Sequence, residues 1–180
     1  GVYENSFIEG GGGDDTIVIK GAAVSLDLSS TTIQGSQGND QVHIATDGTA
    51  KKLNLFAGGG NDLLSAYFSG GGILTSSTVA GGGGDDTVRI AGTAETNKSL
   101  ILGDAFNSVT TFDGDDLIDI TLSGVDASSN TIQGAAGADT ISLESTTAAE
   151  TNFSSNLVHL GQGNDIFSAG TSDFIDTTVQ

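Results

Sequence analysis

Apolar residues in this chain recur at fixed distances from an aspartate, and the same pattern is found seven times. A large apolar residue stands two positions after the aspartate and Ile, Leu or Ala stands four positions after it, as Ile17 and Ile19 follow Asp15, and the residue between them is mostly polar. An aliphatic residue stands seven positions before it, as Ile8 does. Alternation with a period of two is typical of a strand with one buried face. Each unit is therefore predicted to be a strand, a turn, a second strand and a connection of variable length.

The turn of each unit is rich in glycine. A glycine stands two positions before every one of these aspartates, and the two most regular turns read GGGGDDTIVI and GGGGDDTVRI. The nine-residue segments are 10–18, 35–43, 57–65, 81–89, 111–119, 134–142 and 160–168. Their aspartates are Asp15, Asp40, Asp62, Asp86, Asp116, Asp139 and Asp165. These aspartates are 25, 22, 24, 30, 23 and 26 residues apart, so the period is about 25 residues.

A unit of this kind cannot bury its apolar face alone, and stacking successive units buries these faces against one another. The sequence therefore predicts an all-β fold, a parallel β-solenoid of about seven coils, as one repeat domain over residues 1–180. Its aliphatic column is predicted to contain Ile8, Ile33, Leu55, Val79, Val109, Ile132 and Val158. Val179 would continue that column in an eighth unit, so we expect the chain to be part of a longer tandem array. A Greek-key sandwich is the alternative fold, but it gives no reason for one Gly-Asp turn per period.

The charge of the chain excludes several classes of binding partner. Asp and Glu number 23 against five Lys and Arg, which gives a formal net charge of −18. Nucleic acid and anionic membrane surfaces need a basic surface that five scattered residues cannot supply. No apolar run is long enough for a membrane span, and the absence of cysteine excludes disulfides and thiolate metal sites. The expected partner of so acidic a surface is a cation.

Stacking also places the turn aspartates in a column. At the ~4.8 Å between neighbouring strands and an effective dielectric near 20, two carboxylates repel by roughly 3.5 kcal/mol. Such a column needs raised pKa values or a counter-cation. Calcium is the cation that fits best, because it takes several carboxylate and carbonyl oxygens in loose geometry, and a glycine turn exposes carbonyls. The alternative is that these segments are only turns, held by hydrogen bonds alone.

The turn segments resemble the G-G-x-G-x-D-x-U-x nonapeptide of the repeats-in-toxin (RTX, hemolysin-type calcium-binding) family. Segments 10–18 and 81–89 match every defined position, 35–43 and 134–142 lack the second glycine, 57–65 and 160–168 lack the first, and 111–119 lacks both. The resemblance implies a calcium-binding β-roll in a secreted or cell-surface bacterial protein, with the seven turn aspartates as side-chain ligands. Backbone carbonyl ligands are expected from Gly11, Gly13, Gly38, Gly60, Gly82, Gly84, Gly114, Gly137 and Gly163.

The chain departs from the family in one respect. Family nonapeptides follow one another directly and place a turn on both edges of the coil, whereas here each coil has one turn and is longer. The two ion columns of the family are therefore expected to become one, with up to about six Ca²⁺ ions between the seven turns. Segment 111–119 has Phe112 in a glycine position, so its site is the one expected to be empty.

The remaining chemistry of the chain does not favour an enzyme. No serine has a histidine and an aspartate placed to activate it, and His43 and His159 are predicted to be surface residues about five coils apart. The favoured function is a calcium-stabilised structural segment of a large surface-layer, adhesin or motility-associated protein. The alternatives are the repeat domain of an exported hydrolase and a virion fibre or decoration protein. Neighbouring copies in a surface array, or a carbohydrate on the side of the variable loops, remain open as partners.

Overall fold

The computed structural model describes residues 3–21, 26–93, 95–104, 114–146, 152–170 and 173–180. All regular elements in these residues are β-strands, and every strand pairing recorded among them is parallel. Each complete coil contributes one strand to each of three sheets. This arrangement is a parallel β-solenoid, as predicted, and it is incompatible with a Greek-key sandwich, whose strands are antiparallel. Within the same residues there is no helix of the length and apolarity that a membrane span requires.

The three sheets differ in the length of their strands. The first sheet has eight strands, β1 (Phe7–Gly12), β3 (Thr32–Gln37), β6 (Asn54–Gly59), β9 (Thr78–Gly83), β12 (Leu100–Asp104), β15 (Thr131–Ala136), β18 (Leu157–Gln162) and β21 (Thr178–Val179). The second has seven, β2 (Thr16–Lys20), β4 (Gln41–Thr46), β7 (Leu63–Phe68), β10 (Thr87–Gly92), β13 (Leu117–Leu122), β16 (Thr140–Ser145) and β19 (Ile166–Ala169). The third has six short strands, β5 (Thr49–Lys51), β8 (Ile73–Thr75), β11 (Glu95–Asn97), β14 (Ala127–Ser128), β17 (Asn152–Ser154) and β20 (Asp173–Ile175).

The predicted apolar columns lie in register and form the core. In the second sheet Val42 pairs with Leu64 and Leu64 with Val88, and all three side chains are buried. In the first sheet Val158 pairs with Val179, which confirms the eighth position of the aliphatic column. The alternate residues of these strands point outwards, so the core is a stack of apolar layers between the three sheets.

One member of the aliphatic column was assigned wrongly. Val109 lies outside the described residues, and Ile101 takes its place, paired with Val79 on one side and Ile132 on the other. Asp104 is in register with Gly82, and the chain re-enters the pattern at Gly114, which precedes β13. The fifth unit is long because residues are inserted inside its turn, after the first strand, and a fixed offset counted back from Asp116 therefore gave the wrong residue.

The connection after the second strand is more regular than predicted, because it contains the short strands of the third sheet. Each of these strands places one side chain in the core, as with Ala50, Leu74 and Phe153. Phe153 stacks on Phe174 of the next coil with ring centroids 5.3 Å apart. The solenoid therefore has three walls rather than two walls and a loop.

A second polar corner joins the third sheet to the first. Its leading residue has a left-handed backbone with φ between 50° and 57° in every coil, and it is never glycine. These residues are Asn5, Ser30, Lys52, Ser76, Lys98, Ser129, Ser155 and Asp176. The next residue points inwards and is small or polar in most coils, as with Ser77, Ser99, Asn130 and Asn156, which are buried. We call this the asparagine corner, and we call the corner between the first and second sheets the Gly-Asp turn.

Candidate metal centre

The seven predicted aspartates occupy one column at the Gly-Asp turns, and hydrogen bonds connect them. Oδ1 of each aspartate from Asp40 onwards accepts the backbone N–H of the equivalent aspartate in the preceding coil. The Asp15 N–H donates to Asp40 Oδ1 at 2.8 Å, and the last bond of the series joins the Asp139 N–H to Asp165 Oδ1 at 3.0 Å. This inner ladder satisfies six turn amides, which would otherwise be orphaned at the ends of the strands.

The residue before each aspartate forms a second, outer ladder of the opposite direction. Here the N–H of the later coil donates to the side chain of the earlier coil, as the Asn39 N–H does to Asp14 Oδ1 at 2.8 Å. The series continues through Asn61, Asp85, Asp115 and Ala138. Asn and Asp are equivalent as acceptors in this ladder, which explains why both occur at this position, whereas Ala138 can only donate through its backbone.

Hydrogen bonding accounts for only one oxygen of each inner aspartate. Oδ2 is buried and has no hydrogen-bond partner in six of them, namely Asp15, Asp40, Asp62, Asp86, Asp116 and Asp139. An acceptor that is buried without a donor costs about 1–3 kcal/mol, and more when it carries charge. A turn held by hydrogen bonds alone would therefore explain Oδ1 but leave a column of destabilising oxygens.

The unpartnered oxygens point into small spaces that glycine keeps open. A Cβ atom added to Gly10 would lie 2.8 Å from Asp15 Oδ2 and 2.9 Å from the carbonyl oxygen of Gly35 in the next coil. The same convergence of Oδ2 and a carbonyl oxygen is found at Gly35, Gly81 and Gly134. Each of these glycines is the first residue of its nonapeptide. An oxygen cluster with no proton donor is the environment that a hard cation such as Ca²⁺ selects.

The carbonyls that meet Oδ2 differ from those predicted as ligands. They belong to first-position residues of the following coil, including Gly35, Ala57, Gly103 and Leu160, which the prediction did not name. The predicted fourth-position glycines form a separate column, in which the Gly13 carbonyl lies against Gly38 and the series continues to Gly163. A Cβ at any of the later glycines would collide with the carbonyl before it, so close approach of the coils explains the invariant fourth glycine.

Burial changes the acidity of the central aspartates. Asp86 and Asp116 are only 2% and 3% exposed, and loss of hydration raises the pKa of each carboxyl to about 8. The backbone N–H bond to Oδ1 opposes this shift, while repulsion from neighbouring carboxylates adds to it. The pKa values of Asp62 and Asp139 are also raised, again chiefly by desolvation. The column therefore has a strong tendency to take up either protons or cations.

The fifth turn has an additional acid that sequence analysis missed. Its first glycine is Gly103, where an added Cβ would collide with Asp116 Oδ2, and its second position is Asp104. Asp104 is buried and raises the pKa of both Asp86 and Asp116 by charge repulsion. The reason for expecting an empty fifth site is thus removed, because Phe112 lies outside the described residues, Gly103 supplies the first glycine and Asp104 takes the second position that was assigned to Phe112. The segment KSLI, which matches SSTV of the preceding coil, was the signal for this alignment.

The asparagine corner is built differently from the Gly-Asp turn. Oδ1 of Asn130 accepts the Ser99 N–H at 3.0 Å, and its Nδ2 donates to the carbonyl oxygen of Thr96 at 2.8 Å. Asn156 repeats the pattern, with Nδ2 donating to the Ala127 carbonyl at 2.9 Å. Both polar atoms of each side chain are therefore satisfied within the protein. Among the described residues, no three acidic or histidine side chains converge on one point, so a cation site needs backbone oxygens as well.

The comparison with protein families agrees with this geometry. The RTX calcium-binding nonapeptide repeat model matches in four copies, over residues 3–18, 76–89 and 126–145. The chain therefore contains repeats of the RTX nonapeptide type. No curated protein and no solved structure matches it. The RTX match and the solenoid fold support a calcium-binding structural repeat segment.

Proposed function

We propose that the Gly-Asp turns bind Ca²⁺ through Oδ2 of the inner aspartates and that this binding stabilises the stack of coils. The proposal rests on the six buried carboxylate oxygens that have no donor. The cation supplies positive charge where the chain places carboxylate and carbonyl oxygens together. The inner aspartates are the side-chain ligands in this proposal, and the turn glycines together with first-position carbonyls are the backbone ligands.

Binding and folding are coupled in this arrangement. A site between two coils exists only when both coils are folded, so an ion that binds there stabilises the native state by mass action, by about 2.7 kcal/mol per site at a hundred times its Kd. Six divalent ions, one for each unpartnered Oδ2, would change the net charge from −18 to about −6. The chain without calcium retains both the desolvation cost and the repulsion along the column.

The sites are expected to differ in affinity along the stack. The fifth turn combines Asp104 with Asp116 and with Asp86 of the preceding coil, so it has the highest density of buried negative charge. In the third turn, Ala57 stands where five of the other turns have the first glycine, so its methyl group leaves less room beside the inner aspartate than a glycine would. We expect the fifth turn to be occupied at the lowest calcium concentration and the third at the highest.

The wider role that suits these properties is that of a calcium-stabilised spacer in a secreted or cell-surface bacterial protein of the surface-layer, adhesin or motility-associated type. The repeat is a structural one, and the proposal assigns it no catalytic step. Its support is the match to RTX repeats together with a rod-like arrangement of coils that contact only their neighbours.

The decisive experiment compares two aspartates of the fifth unit that stand three positions apart. Asp116→Asn removes an inner carboxylate, whereas Asp119→Asn removes an outward carboxylate of β13 that lies 3.8 Å from Arg89. Calorimetric titration with Ca²⁺ is expected to give one ion fewer for D116N and an unchanged stoichiometry for D119N. Melting curves with calcium and with a chelator should show a smaller calcium-dependent shift for D116N alone.

Two results would contradict the proposal. Equal melting midpoints of the parent protein in calcium and in chelator would show that the turns do not need the ion. An unchanged stoichiometry in D116N would show that calcium binds elsewhere, even if it stabilises the protein.

A further inference from the structure

The outer face of the second sheet differs in charge from the chain as a whole. With histidine counted as neutral, its outward residues include two cations, Lys20 and Arg89, and two anions, Asp119 and Glu144. Arg89 and Asp119 lie on adjoining strands and already pair with each other at 3.8 Å. This face is therefore balanced in charge, whereas the whole chain has a net charge of −18.

One outward row of this face is ordered by both charge and size. From β2 to β16, the residues in register along it are Lys20, Ala45, Tyr67, Ala91, Thr121 and Glu144. Tyr67 is 52% exposed, and the alanines on both sides of it are small. Beside Tyr67 and Ala91 lies a depression of about 290 Å³. The row thus has a cation at one end, an anion at the other, and a projecting ring next to a hollow near its middle.

This row is complementary to itself when a second copy is turned end for end. A two-fold axis parallel to the strands keeps each position within the strand and reverses the order of the coils. With the axis between β7 and β10, Lys20 of one copy faces Glu144 of the other. Tyr67 then faces Ala91 of the other copy, next to the hollow that can receive its ring. Opposite charges meet at both ends of the row, and a large side chain meets a small one at its middle.

The neighbouring outward row agrees with the same axis. His43 of one copy faces Asp119 of the other, and a histidine can donate a hydrogen bond to a carboxylate in either protonation state. Ser65 faces Arg89 of the other copy, so the pair between Arg89 and Asp119 within each copy is retained. No like charges are brought together in either row.

We propose that two copies of the chain associate through the outer faces of their second sheets in this antiparallel arrangement. Six strands about 4.8 Å apart and about five residues long give each copy a face of roughly 29 Å by 17 Å. The pair would bury about 1,000 Å² in total, which is the lower limit for a specific interface. The dimer is therefore expected to be weak and reversible.

The other symmetric arrangement is disfavoured by charge. An axis parallel to the solenoid keeps the order of the coils and reverses the strands, so each coil meets its own equivalent. With that axis over the row of Arg89 and Asp119, each of these residues lies opposite the same residue of the other copy. Like charges placed opposite each other in an interface cost several kcal/mol. The distribution of charge along the face thus selects the antiparallel arrangement.

The net charge of the chain opposes self-association, but most of it lies away from this face. The Gly-Asp turns are at the edge of the second sheet, before the first residue of each strand. Packed sheets are about 10 Å apart, so the turns of two copies are separated by more than the screening length of about 8 Å at physiological salt. The groups close enough to act without screening are mainly the balanced charges of the two faces.

The test is sedimentation equilibrium of the calcium-saturated protein over a range of concentrations, at about 0.15 M and about 0.5 M salt. We expect a reversible equilibrium between monomer and dimer. Tyr67→Ala should weaken the dimer about tenfold or more, because the symmetric interface loses two rings at once. Tyr3→Ala is the matched control and should have no effect, because Tyr3 is 45% exposed but lies outside this sheet.

An exchange of charges tests the arrangement of the two copies. Lys20→Glu and Glu144→Lys should each weaken the dimer about three- to tenfold, because a like-charged pair replaces an opposite pair at two places. The double variant K20E/E144K should restore the affinity of the parent. These residues are five strands apart in one chain, or about 24 Å, so only contact between copies can produce the rescue. Lys51→Glu, on the third sheet, is the control for a change of charge alone.

Three results would overturn the proposal. A protein that remains monomeric at both salt concentrations has no such interface, and the higher salt prevents repulsion between copies from hiding a dimer. A dimer that Y67A and Y3A affect equally uses another surface. Single charge variants that weaken the dimer without rescue in K20E/E144K exclude the antiparallel arrangement. Calcium stoichiometry is measured on the same samples, so failure of the dimer is distinguishable from failure of the calcium proposal.

Discussion

In the coils that contain Asn130 and Asn156, the two polar corners differ in one atom of the side chain that faces the neighbouring coil. At both corners, Oδ1 accepts the backbone N–H of the preceding coil, as Asn130 does for Ser99 and Asp86 does for Asp62. At the asparagine corner the second atom is Nδ2, which donates to the Thr96 carbonyl. At the Gly-Asp turn it is Oδ2, which has no donor and lies, together with a carbonyl oxygen of the next coil, beside the first glycine of the turn.

This difference shows why the inner position of the Gly-Asp turn contains only aspartate. Asparagine would make a self-sufficient turn there, as it does at the other corner of the same coil. Aspartate makes a turn that is incomplete until a positive charge arrives, because carboxylate and carbonyl oxygens repel each other. Under the calcium proposal, the stability of the Gly-Asp turn depends on cations and that of the asparagine corner does not.

The largest expected effect comes from placing an aspartate in the asparagine corner. Asn130→Asp places a carboxylate oxygen against the Thr96 carbonyl, in a corner that has no glycine to leave room for a cation. The buried charge is then unpaired, so the free energy of unfolding should fall by about 3–5 kcal/mol. Asn130→Ser is the control, because Ser77 and Ser99 already occupy equivalent positions. Urea denaturation in saturating calcium measures both. If calcium restored N130D to parent stability, the two corners would be interchangeable and the comparison would fail.

The converse exchange should give a smaller effect of opposite sign. Asp86→Asn supplies the missing donor, so the calcium-free protein should become more stable by about 1–3 kcal/mol, while calcium should stabilise the variant less than the parent. Asp85→Asn is the matched control, since the outer ladder already uses asparagine at Asn39 and Asn61. Denaturation with calcium and with chelator checks both expectations. A calcium-free D86N that is less stable than the parent would contradict them.

The same variant has a pH signature. Asp86 and Asp116 have a pKa of about 8 in the folded chain against about 3.9 when unfolded, so the folded state binds more protons between these values. The stability that they contribute is full below about pH 4 and is lost as the pH rises through 8. The calcium-free parent should therefore lose stability as the pH rises from about 4 to about 8, and D86N should lose less.

The smallest effect concerns the backbone of the two corners. At the asparagine corner φ is near 55°, which serine, lysine and asparagine adopt, whereas Ala135 in the Gly-Asp turn has φ of 96°. Relief of this strain should make Ala135→Gly more stable by about 1 kcal/mol, while Ala136→Gly, at a position with an ordinary φ, should be less stable by about 0.5–1 kcal/mol. Thermal melting at constant calcium compares them. Equal destabilisation by both would show that the turn tolerates alanine as the other corner tolerates serine.

Sequence reasoning found the Gly-Asp turns because glycine, aspartate and the alternating apolar residues are strong local signals. It missed the third sheet because strands of two or three residues, such as β14 and β17, contain a single buried side chain and show no alternation. It placed Val109 where Ile101 belongs because an insertion inside a turn is invisible to a fixed offset from the aspartate. Pairs such as Lys98 and Ser99, which open the asparagine corner, would have restored the register.

The candidate site, like the fold, was only partly predictable from the sequence. The column of aspartates followed from the repeat alone, because stacked coils must superimpose equivalent residues. The different hydrogen bonding of Oδ1 and Oδ2 could not be predicted from the repeat, because it depends on side-chain rotation and on the exact offset between coils. Asp104 was missed for the same reason as Ile101, as its place in the fifth turn becomes evident only when β12 is paired with β9.

The opposite directions of the inner and outer ladders have a consequence for shortened versions of the protein. A coil that loses its successor leaves the amide of its inner aspartate without an acceptor, as the Asp139 amide would be without Asp165. A coil that loses its predecessor leaves the amide of its outer residue in the same state, as Asn39 would be without Asp14. Cuts from the first to the sixth turn thus create a defective terminal winding, whichever end is removed. A truncated array needs a purpose-made cap at each end, and the two caps must be chemically different, one accepting from the inner ladder and the other from the outer.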